Sequence, residues 1–553
     1  MADEAARPEP RSLRLLRSAL MAFGLAVVVQ ALCGFAGALA AGPCLVGGAL
    51  VAALLVFVRR ANRANEATSP APFTAADGAA ATALVLALAS RAWDGLHRET
   101  FTYDVLSYHL HLPAAWHALG RLALIPTPFG DQAPAYAPAN AELLYELAIG
   151  ATGNLRLAHA GQVPFAALAT LAIHATVRQL GGPRAMGFAA ALAFLLIPEV
   201  WQQASGAMTD LALASFVLSS LPFAGALGPD GRRRDRVALG TALGLAAGTK
   251  YVGALMLLPI ALLIAASLVH PRGEPARVGR ALARAAIVVA LVLATGGFWY
   301  VRNLLFTGDP TFPVTLRLGP WTLGRGLYDG GAMRAWIYHS PITDLHPLLD
   351  IFAETTVGFL ASALAATLIS LRERSLRWLS LFVGFVALGW LLVPYQQSRF
   401  FFCAWGAAVV LMAASSLRLP AHQRGWVWLP AIAGSALQAP TPTRWLLALV
   451  ATIGAVAQAV QHDRPDGAPP RAWWPGLVRR RAGRAALMVA LLLGGGSVIA
   501  WARGHVPSAR DGVGDSHDDA WAFLAAAPAL PHEGPGRRIA YAGSNLPLPL
   551  WGP

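Results

Sequence analysis

The chain alternates long apolar runs with short polar segments that are rich in arginine. A membrane-spanning helix needs about 20 consecutive apolar residues, and most of the runs approach that length. The pattern predicts about 15 spanning helices. They lie over residues 18–40, 43–58, 75–92, 157–177, 185–200, 208–227, 237–249, 252–269, 285–304, 348–370, 377–394, 400–417, 425–438, 444–460 and 485–501. An all-α polytopic membrane protein is therefore expected.

Composition agrees with this pattern. Of the 553 residues 56% are hydrophobic and 13% are charged, whereas soluble domains carry about a quarter charged residues. The net charge of +14 would suggest a nucleic-acid partner in a soluble protein. Here the arginines cluster in short segments between apolar runs, which is the positive-inside pattern. The three cysteines lie in apolar surroundings without metal-ligand spacing.

The arginine clusters predict the topology. They fall on one side if the N-terminus is cytoplasmic and the first run is a spanning helix. A signal peptide with Ala38–Ala40 before the cleavage site is the alternative. The clusters are Arg11/Arg14, Arg59/Arg60/Arg63, Arg232 to Arg236, Arg272 to Arg284, Arg372/Arg374/Arg377 and Arg479 to Arg484. Runs 237–249 and 252–269 then form a hairpin with Gly248-Thr249-Lys250 at its outer tip. Loops 93–156 and 305–347 lie on the opposite face, which is the periplasm in a bacterium.

The stretch from Trp93 to Pro113, WDGLHRETFTYDVLSYHLHLP, concentrates polar residues beside apolar runs. Such residues are expensive at a membrane and usually have a function. In an α-helix at the membrane surface, Asp104, Tyr108 and His111 share one face. A carboxylate there would take a proton from an attacking hydroxyl, so we predict these three as catalytic. The alternative is an interfacial helix with an ordinary polar face.

Basic residues on the same predicted side indicate an anion site. Lys250 is the only lysine in the chain, and a compact ammonium suits a phosphate oxygen. Arg302 and Arg399 border apolar helices, and guanidinium groups bind phosphate well. Snorkelling and interfacial anchoring are the alternatives. We predict that these three residues bind a donor phosphate.

Asp210 heads an apolar run, where an acid is costly unless it is paired or caps the helix. Asp210 or Thr209 as an N-cap is the alternative. With Asn303 and His109, Asp210 is predicted to bind substrate. His97, His109, His111 and His117 with Asp104 match no standard metal spacing. We therefore predict no metal site and no certain cofactor, and a divalent metal ion held by these side chains is the alternative.

Three stretches, in this order, resemble the GT-C superfamily of integral-membrane glycosyltransferases. They are YDVLSYHLHLPAAWHALGRL, AMTDLALASF, and GLAAGTKYVGALMLLP followed by FWYVRNLLFTGDPTFP. The nearest branch contains protein-mannosyltransferase-like, aminoarabinose-transferase-like and RgtA/B/C/D-like enzymes. The resemblance implies a GT-C-like helix bundle with interfacial helices in the first long loop. It also implies Asp104 as catalytic acid/base and a polyprenyl-phosphate sugar donor.

The chain departs from this family in three ways. Many relatives have two adjacent acids in the first loop, whereas Tyr103 precedes Asp104 here. Two additional helices precede the predicted core. The end of the chain, RRIAYAGSNLPLPLWGP, resembles the first strand and turn of an α/β module.

The predicted organisation has four parts. Residues 1–74 hold two transmembrane helices, 75–420 the catalytic core, 421–501 further transmembrane helices and 502–553 a short external tail. The predicted function is transfer of a hexosyl or pentosyl group from a polyprenyl-phosphate donor. The acceptor is a hydroxyl of a lipid, glycan or protein on the periplasmic face of a bacterial inner membrane. The alternatives are a lipid or solute transporter, which would carry charges at mid-membrane depth in broken helices, and a polysaccharide polymerase or ligase.

Overall fold

The fold is described by a computed structural model. It describes residues 9–52, 73–97, 104–125, 133–228, 230–259, 275–318, 320–327, 357–373, 375–392 and 397–418, with positions 102, 351, 355 and 428. The predictions for 502–553, and those for 421–501 apart from Trp428, fall outside these residues. So do Tyr103, Glu99 and Asp131.

The described chain is almost entirely helical. The N-terminal helices are α1 Arg11–Phe35, α2 Leu39–Ala52, α3 Ala75–His97, α4 His111–Leu119, α5 Ala133–Tyr136, α6 Asn140–Thr152 and α7 Arg156–His159. The central helices are α8 Val163–Gln179, α9 Arg184–Leu195, α10 Pro198–Gln203, α11 Asp210–Ser220, α12 Arg233–Ala247 and α13 Tyr251–Leu255. The later helices are α14 Pro275–Val292, α15 Phe298–Thr307, α16 Val357–Leu371, α17 Arg377–Leu392 and α18 Phe402–Arg418.

Six helical segments of the described chain are long and apolar enough to cross a membrane. They are Arg11–Phe35, Ala75–His97, Arg156–Gln179, Asp210–Leu227, Gly279–Thr307 and Ser398–Arg418. The shorter apolar helices are Leu39–Ala52, Arg184–Leu195, Gly358–Leu371 and Arg377–Leu391. The prediction of an all-α, multi-pass membrane protein is confirmed.

One predicted run is broken in the structure. Residues 185–200 were expected to form a single spanning helix, but α9 ends at Leu195 and α10 begins at Pro198. Proline has no N–H to continue the helical hydrogen bonds, although it fits the first position of a new helix. The break predicted at residues 248–250 is confirmed, because α12 ends at Ala247 and α13 begins at Tyr251.

Helix α11 lies at the centre of the bundle. It packs against α8, α12 and α18, and every residue from Asp210 to Ser220 is buried. A helix that is apolar on all sides is expected in such a position. Any side chain at its N-terminus is therefore held by a rigid, fully packed element.

Three glycines let α12 approach the helical segment Val288–Gly296. A Cβ on Gly240 would lie 2.8 Å from the Val288 carbonyl oxygen, and one on Gly248 would lie 2.8 Å from Gly296 Cα. Gly244 lies between them and makes the same kind of contact. Small residues at four-residue spacing allow such close packing of membrane helices. The crossing fixes the end of α12 at Ala247, three residues before Lys250.

A short antiparallel hairpin follows α15. Strand β1 is Leu316–Leu318 and β2 is Trp321–Gly324, with Leu318 paired to Trp321. Sequence analysis predicted no strand here, since each strand is too short to produce a clear alternating pattern.

Candidate active site

Four charged side chains from distant parts of the sequence form a continuous chain of ion pairs. Arg399 Nη2 lies 2.8 Å from Asp104 Oδ2, and Arg399 Nε lies 3.6 Å from Asp210 Oδ2. Lys250 Nζ donates a hydrogen bond of 2.6 Å to Asp210 Oδ1. We call Asp104, Arg399, Asp210 and Lys250 the ion-pair chain. The ion-pair chain therefore brings together four of the site residues predicted from the sequence.

Each member of the ion-pair chain lies at or beside the end of a helical element. Asp210 is the first residue of α11, and Lys250 immediately precedes α13. Arg399 lies in the 3-10 turn Ser398–Phe401 that leads into α18, and Asp104 precedes a helical turn that begins at Val105. The packed helices α11 and α18 both begin here, so the bundle scaffold fixes the geometry of the charges.

The structure contradicts the two alternative interpretations, in which Asp210 or Thr209 caps α11 and Lys250 snorkels. Neither Asp210 nor Thr209 caps α11 through a side-chain hydrogen bond. The Asp210 side chain is only 2% exposed, and that of Lys250 is 22% exposed. A buried carboxylate needs compensating charge, and Lys250 and Arg399 supply it. Lys250 is therefore an ion-pair partner rather than a snorkelling side chain.

The charges around Asp104 keep it ionised. Burial by itself would raise the pKa of the Asp104 carboxyl, but the positive charges of Arg399, His109 and Lys250 outweigh burial and lower it. Tyr108 hydrogen-bonds to Asp104, and burial together with the Asp104 charge raises the pKa of Tyr108 well above its usual value. Asp104 is an anion at neutral pH, and Tyr108 is a neutral hydrogen-bond donor.

A π-helical turn at Val105–His109 changes which side chains share a face of the segment with Asp104. The Leu110 amide donates to the Val105 carbonyl oxygen, a five-residue step. This turn holds one more residue than an α-helical turn, so the α-helical spacing that placed His111 with Asp104 and Tyr108 is wrong here. His109 takes the position facing Asp104. His111 is buried at the start of α4, and burial lowers its pKa.

His109 is held by a buried carboxylate. Its Nδ1 lies 2.6 Å from Glu142 Oε1, and its Nε2 lies 3.5 Å from Thr209 Oγ1, next to Asp210. Because a carboxylate only accepts hydrogen bonds, Nδ1 of His109 carries the proton in this pair. The other nitrogen, Nε2, therefore faces the side of the ion-pair chain.

Arg302 and Asn303 lie in a neighbouring network rather than in the ion-pair chain. Arg302 Nη2 donates to the Tyr136 carbonyl oxygen at 2.7 Å, and its guanidinium lies 4.7 Å from the centre of the Trp299 ring. Asn303 Nδ2 donates to the Tyr251 hydroxyl at 2.9 Å. Since Tyr251 follows Lys250 in sequence, this network braces the Lys250 backbone. The predicted grouping of Arg302 with Lys250 and Arg399 is not found in these contacts.

A second histidine–glutamate pair joins α4 to α6. His117 Nδ1 lies 3.2 Å from Glu146 Oε1, and Gln30 of α1 donates to the other oxygen of Glu146. Burial raises the pKa of Glu146. The pair anchors α1 to α4 and α6.

Asp94 and His97, at the C-terminal end of α3, bind residues of their own helix. Arg91 Nη2 lies 2.6 Å from Asp94 Oδ2 and its guanidinium stacks on Trp201 at 3.8 Å. His97 bonds to the Trp93 carbonyl oxygen. None of these contacts involves the ion-pair chain.

Glu142 is not among the site residues predicted from the sequence. A usable signal was present, because Glu142 and Glu146 are acids four residues apart in an otherwise apolar segment, NAELLYELAI. Acids are scarce in this chain, and a pair at helical spacing beside the membrane indicates buried partners. Within the described residues, no group of three or more His, Cys, Asp and Glu side chains could hold a metal ion.

Residues 151–306 match the model of a family described as dolichyl-phosphate-mannose-protein mannosyltransferase. This segment contains Asp210, Lys250, Arg302 and Asn303. No curated protein sequence matches the chain.

Two solved structures of ArnT from Cupriavidus metallidurans are similar to the chain, each at 15% sequence identity over 69% of this chain and 77% of the other. The form bound to undecaprenyl phosphate gives a TM-score of 0.45, and the apo form gives 0.42. Over residues 151–306, the family match agrees with the predicted resemblance to protein-mannosyltransferase-like enzymes.

Proposed function

We propose that the protein is a membrane glycosyltransferase that moves a sugar from a polyprenyl-phosphate donor to an acceptor hydroxyl. The observation that carries this proposal is the ion-pair chain, in which Asp104 is joined through Arg399 to Asp210 and Lys250. It places a potential proton acceptor beside two cations at the ends of apolar helices. The family that matches residues 151–306 is described as dolichyl-phosphate-mannose-protein mannosyltransferase, a name that implies a lipid-phosphate-linked sugar donor.

The chemistry assigns a role to each end of the ion-pair chain. Asp104, kept ionised by Arg399, accepts the proton of the attacking hydroxyl. The hydroxyl oxygen bonds to the anomeric carbon while the bond to the donor phosphate breaks, and its electron pair stays on the phosphate. Lys250 uses one of its three N–H donors on Asp210, so it has others for that phosphate. Arg399 adds a second charge.

Asp210 aligns the two cations in this scheme. Its two oxygens face Lys250 and Arg399 separately, so both side chains are fixed before the donor arrives. Fixed charges stabilise a developing anion without reorganisation. Asn303 contributes by bracing Tyr251, and Arg302 by closing the same network on the Tyr136 carbonyl oxygen.

A transporter fits these observations less well. Transporter sites lie near the middle of the membrane in broken helices. Asp210 lies instead at the N-terminal end of α11, a helix that is unbroken from Asp210 to Ser220. A polymerase or ligase would also use cations of this kind, but it would not need the Asp104 turn.

The proposed location is a bacterial inner membrane with the site on the periplasmic face. Reporter fusions after Arg234 and after Asn154 check the orientation. They are expected to report the cytoplasm and the periplasm, respectively. A report of the same compartment for both would overturn the proposed orientation.

The activity test uses purified protein and a panel of polyprenyl-phosphate hexoses and pentoses. The reaction includes total membrane lipid as acceptor, and released polyprenyl phosphate is measured. We expect release from at least one donor, and loss of release in Asp104→Asn. Binding of undecaprenyl phosphate without release from any donor would contradict a transferase. Absence of both binding and release would overturn the lipid-linked donor.

A further inference from the structure

Lys250 lies in the short connection between α12 and α13, so its position depends on how that connection is held. Its backbone is extended, with φ −153° and ψ 155°. After Lys250, the chain is held by the bond from Asn303 to the Tyr251 hydroxyl. Before Lys250, the last turn of α12 ends in carbonyl groups that have no partner within the helix. The groups that bind those carbonyls set where the Lys250 backbone begins.

Asn140, the first residue of α6, binds this last turn of α12. Its backbone N–H donates to the Gly248 carbonyl oxygen at 2.8 Å, so a helix-start amide meets a helix-end carbonyl. Its side-chain Nδ2 donates to the Leu245 carbonyl oxygen at 3.2 Å. A Cβ added to Gly248 would lie 2.2 Å from the same Nδ2. Asn140 is therefore both bonded to and packed against the end of α12.

The Asn140 amide is fixed in one orientation by its other partners. Nδ2 also donates to the Thr295 carbonyl oxygen at 2.8 Å, and Oδ1 accepts from Trp299 Nε1 at 2.9 Å. A carbonyl only accepts and an indole N–H only donates, so turning the amide over would lose these bonds. Asn140 is fully buried, and a buried polar group with its hydrogen bonds satisfied is rigid.

Helix α6 also holds the segment that leads into Asp210, the ion-pair partner of Lys250. The hydroxyl of Tyr145, on α6, donates to the carbonyl oxygen of Met208, two residues before Asp210. Asn140 and Tyr145 are five residues apart on the same helix. One rigid element therefore supports the backbone on both sides of the Lys250–Asp210 pair.

We propose that Asn140 is a positioning residue that sets the place of Lys250 for the donor phosphate. This inference rests on the proposed function. The Asn140 side chain acts through the carbonyls of Leu245 and Thr295, which fix the end of α12 against the neighbouring helix. An ammonium set in place beforehand stabilises the departing phosphate without first having to move. When the end of α12 shifts, Lys250 loses its alignment with both Asp210 and the phosphate.

The experiment uses the fact that Lys250 is the only lysine in the chain. An amine-acetylating reagent is added to the purified protein, and mass spectrometry of the peptide that contains Lys250 gives its labelling rate. Labelling of the unaltered protein is expected to be slow, because the ammonium must leave Asp210 and give up its proton before it reacts. Undecaprenyl phosphate is expected to slow it further.

Asn140→Leu keeps a similar volume but removes the three side-chain hydrogen bonds. We expect Lys250 to be labelled about 3- to 10-fold faster and undecaprenyl phosphate to bind about 3- to 10-fold more weakly, which is the net contribution of one or two hydrogen bonds. Gln30→Leu is the matched control. Gln30 is also fully buried and donates to Glu146, but it joins α1 to α6 rather than α6 to α12. It should lower the unfolding temperature without changing labelling or lipid binding.

Thermal unfolding in detergent is measured for each variant. Labelling of Lys250 at the unaltered rate in folded Asn140→Leu would overturn the inference, and so would equally fast labelling in Gln30→Leu. If Asn140→Leu does not fold, Trp299→Phe decides, because it removes the donor that orients the Asn140 amide. An unchanged labelling rate in Trp299→Phe then overturns the inference.

Failure of the proposed function gives a different result. If undecaprenyl phosphate does not slow the labelling of Lys250 in the unaltered protein, the phosphate role of Lys250 is wrong. The labelling rates measured without lipid still decide whether Asn140 positions Lys250. The two failures are therefore distinguishable.

Discussion

Arg399 Nη2 lies 2.8 Å from Asp104 Oδ2, which joins the turn that leads into α18 to the π-helical turn of the first long loop. The contact holds the carboxylate ionised and fixes its direction. An ion pair of this kind is stronger than a neutral hydrogen bond and sets geometry as well as charge. Both properties are required of a residue that accepts a proton from an incoming hydroxyl.

Asp104→Asn tests the reacting group. The amide is nearly isosteric, so folding and undecaprenyl phosphate binding should be retained. Turnover should fall by about 10²–10⁴, the usual contribution of a positioned proton acceptor. The measurement is release of polyprenyl phosphate by purified protein.

Asp94→Asn is the matched control, because Asp94 lies in the same loop region but pairs with Arg91. It should keep near-normal turnover. Normal turnover of Asp104→Asn, with collapse of Asp94→Asn, would move the reacting group away from the ion-pair chain.

Arg399→Gln tests the electrostatics of Asp104. Burial raises the pKa of Asp104, and the Arg399 charge is the largest influence that lowers it. Removing this charge should therefore raise the pKa. Because Asp104 works as the anion, activity is lost as the pH falls through that pKa, so the variant should lose activity at a higher pH than the unaltered protein. A pH profile of kcat/KM measures the shift, and an unchanged profile would contradict the pairing.

Much of the fold was predictable from the lengths of the apolar runs and the arginine clusters between them. The helix break at 248–250 followed from arginine-rich flanks on both sides, which required an even number of crossings. The break after Leu195 was missed, although Pro198 marked it. The site was predictable only in part, since the sequence showed that Asp210 and Lys250 lie at helix ends but not that they touch.

The missed features have a common physical origin. The π-helical turn shifts His109 into the face assigned to His111, and periodicity analysis assumes a constant 3.6 residues per turn. Arg302 and Arg399 are both arginines at the border of an apolar run. Only tertiary packing separates the one that binds the Tyr136 carbonyl oxygen from the one that binds Asp104.

Gly248→Ala tests the helix crossing that positions Lys250. An added Cβ would lie 2.2 Å from Asn140 Nδ2 and 2.8 Å from Gly296 Cα. Backbone cannot yield as a flexible side chain does, so we expect destabilisation by about 1–3 kcal/mol, the range for overpacking. Thermal unfolding in detergent measures it.

Gly384→Ala is its control, since an added Cβ at Gly384 has no neighbour within 4 Å. Equal unfolding temperatures for the two variants would contradict the close approach.

Lys250 and Asp210 provide a test that separates stability from donor binding. Lys250 Nζ lies 2.6 Å from Asp210 Oδ1, and the Asp210 side chain is 2% exposed. Among the described residues, Lys250→Met leaves the buried Asp210 carboxylate with Arg399, at 3.6 Å, as its remaining ion-pair partner. Losing one partner of a buried pair costs about 3–5 kcal/mol, and the remaining arginine places the expected loss at the lower end.

The double variant Lys250→Met, Asp210→Asn removes both charges and should recover most of the stability. It should not recover binding of undecaprenyl phosphate, because the phosphate has lost its ammonium donor. Thermal unfolding and lipid binding measured on the same preparations give both quantities. Recovery of binding together with stability would show that Lys250 only balances Asp210, and would remove it from the proposed phosphate site.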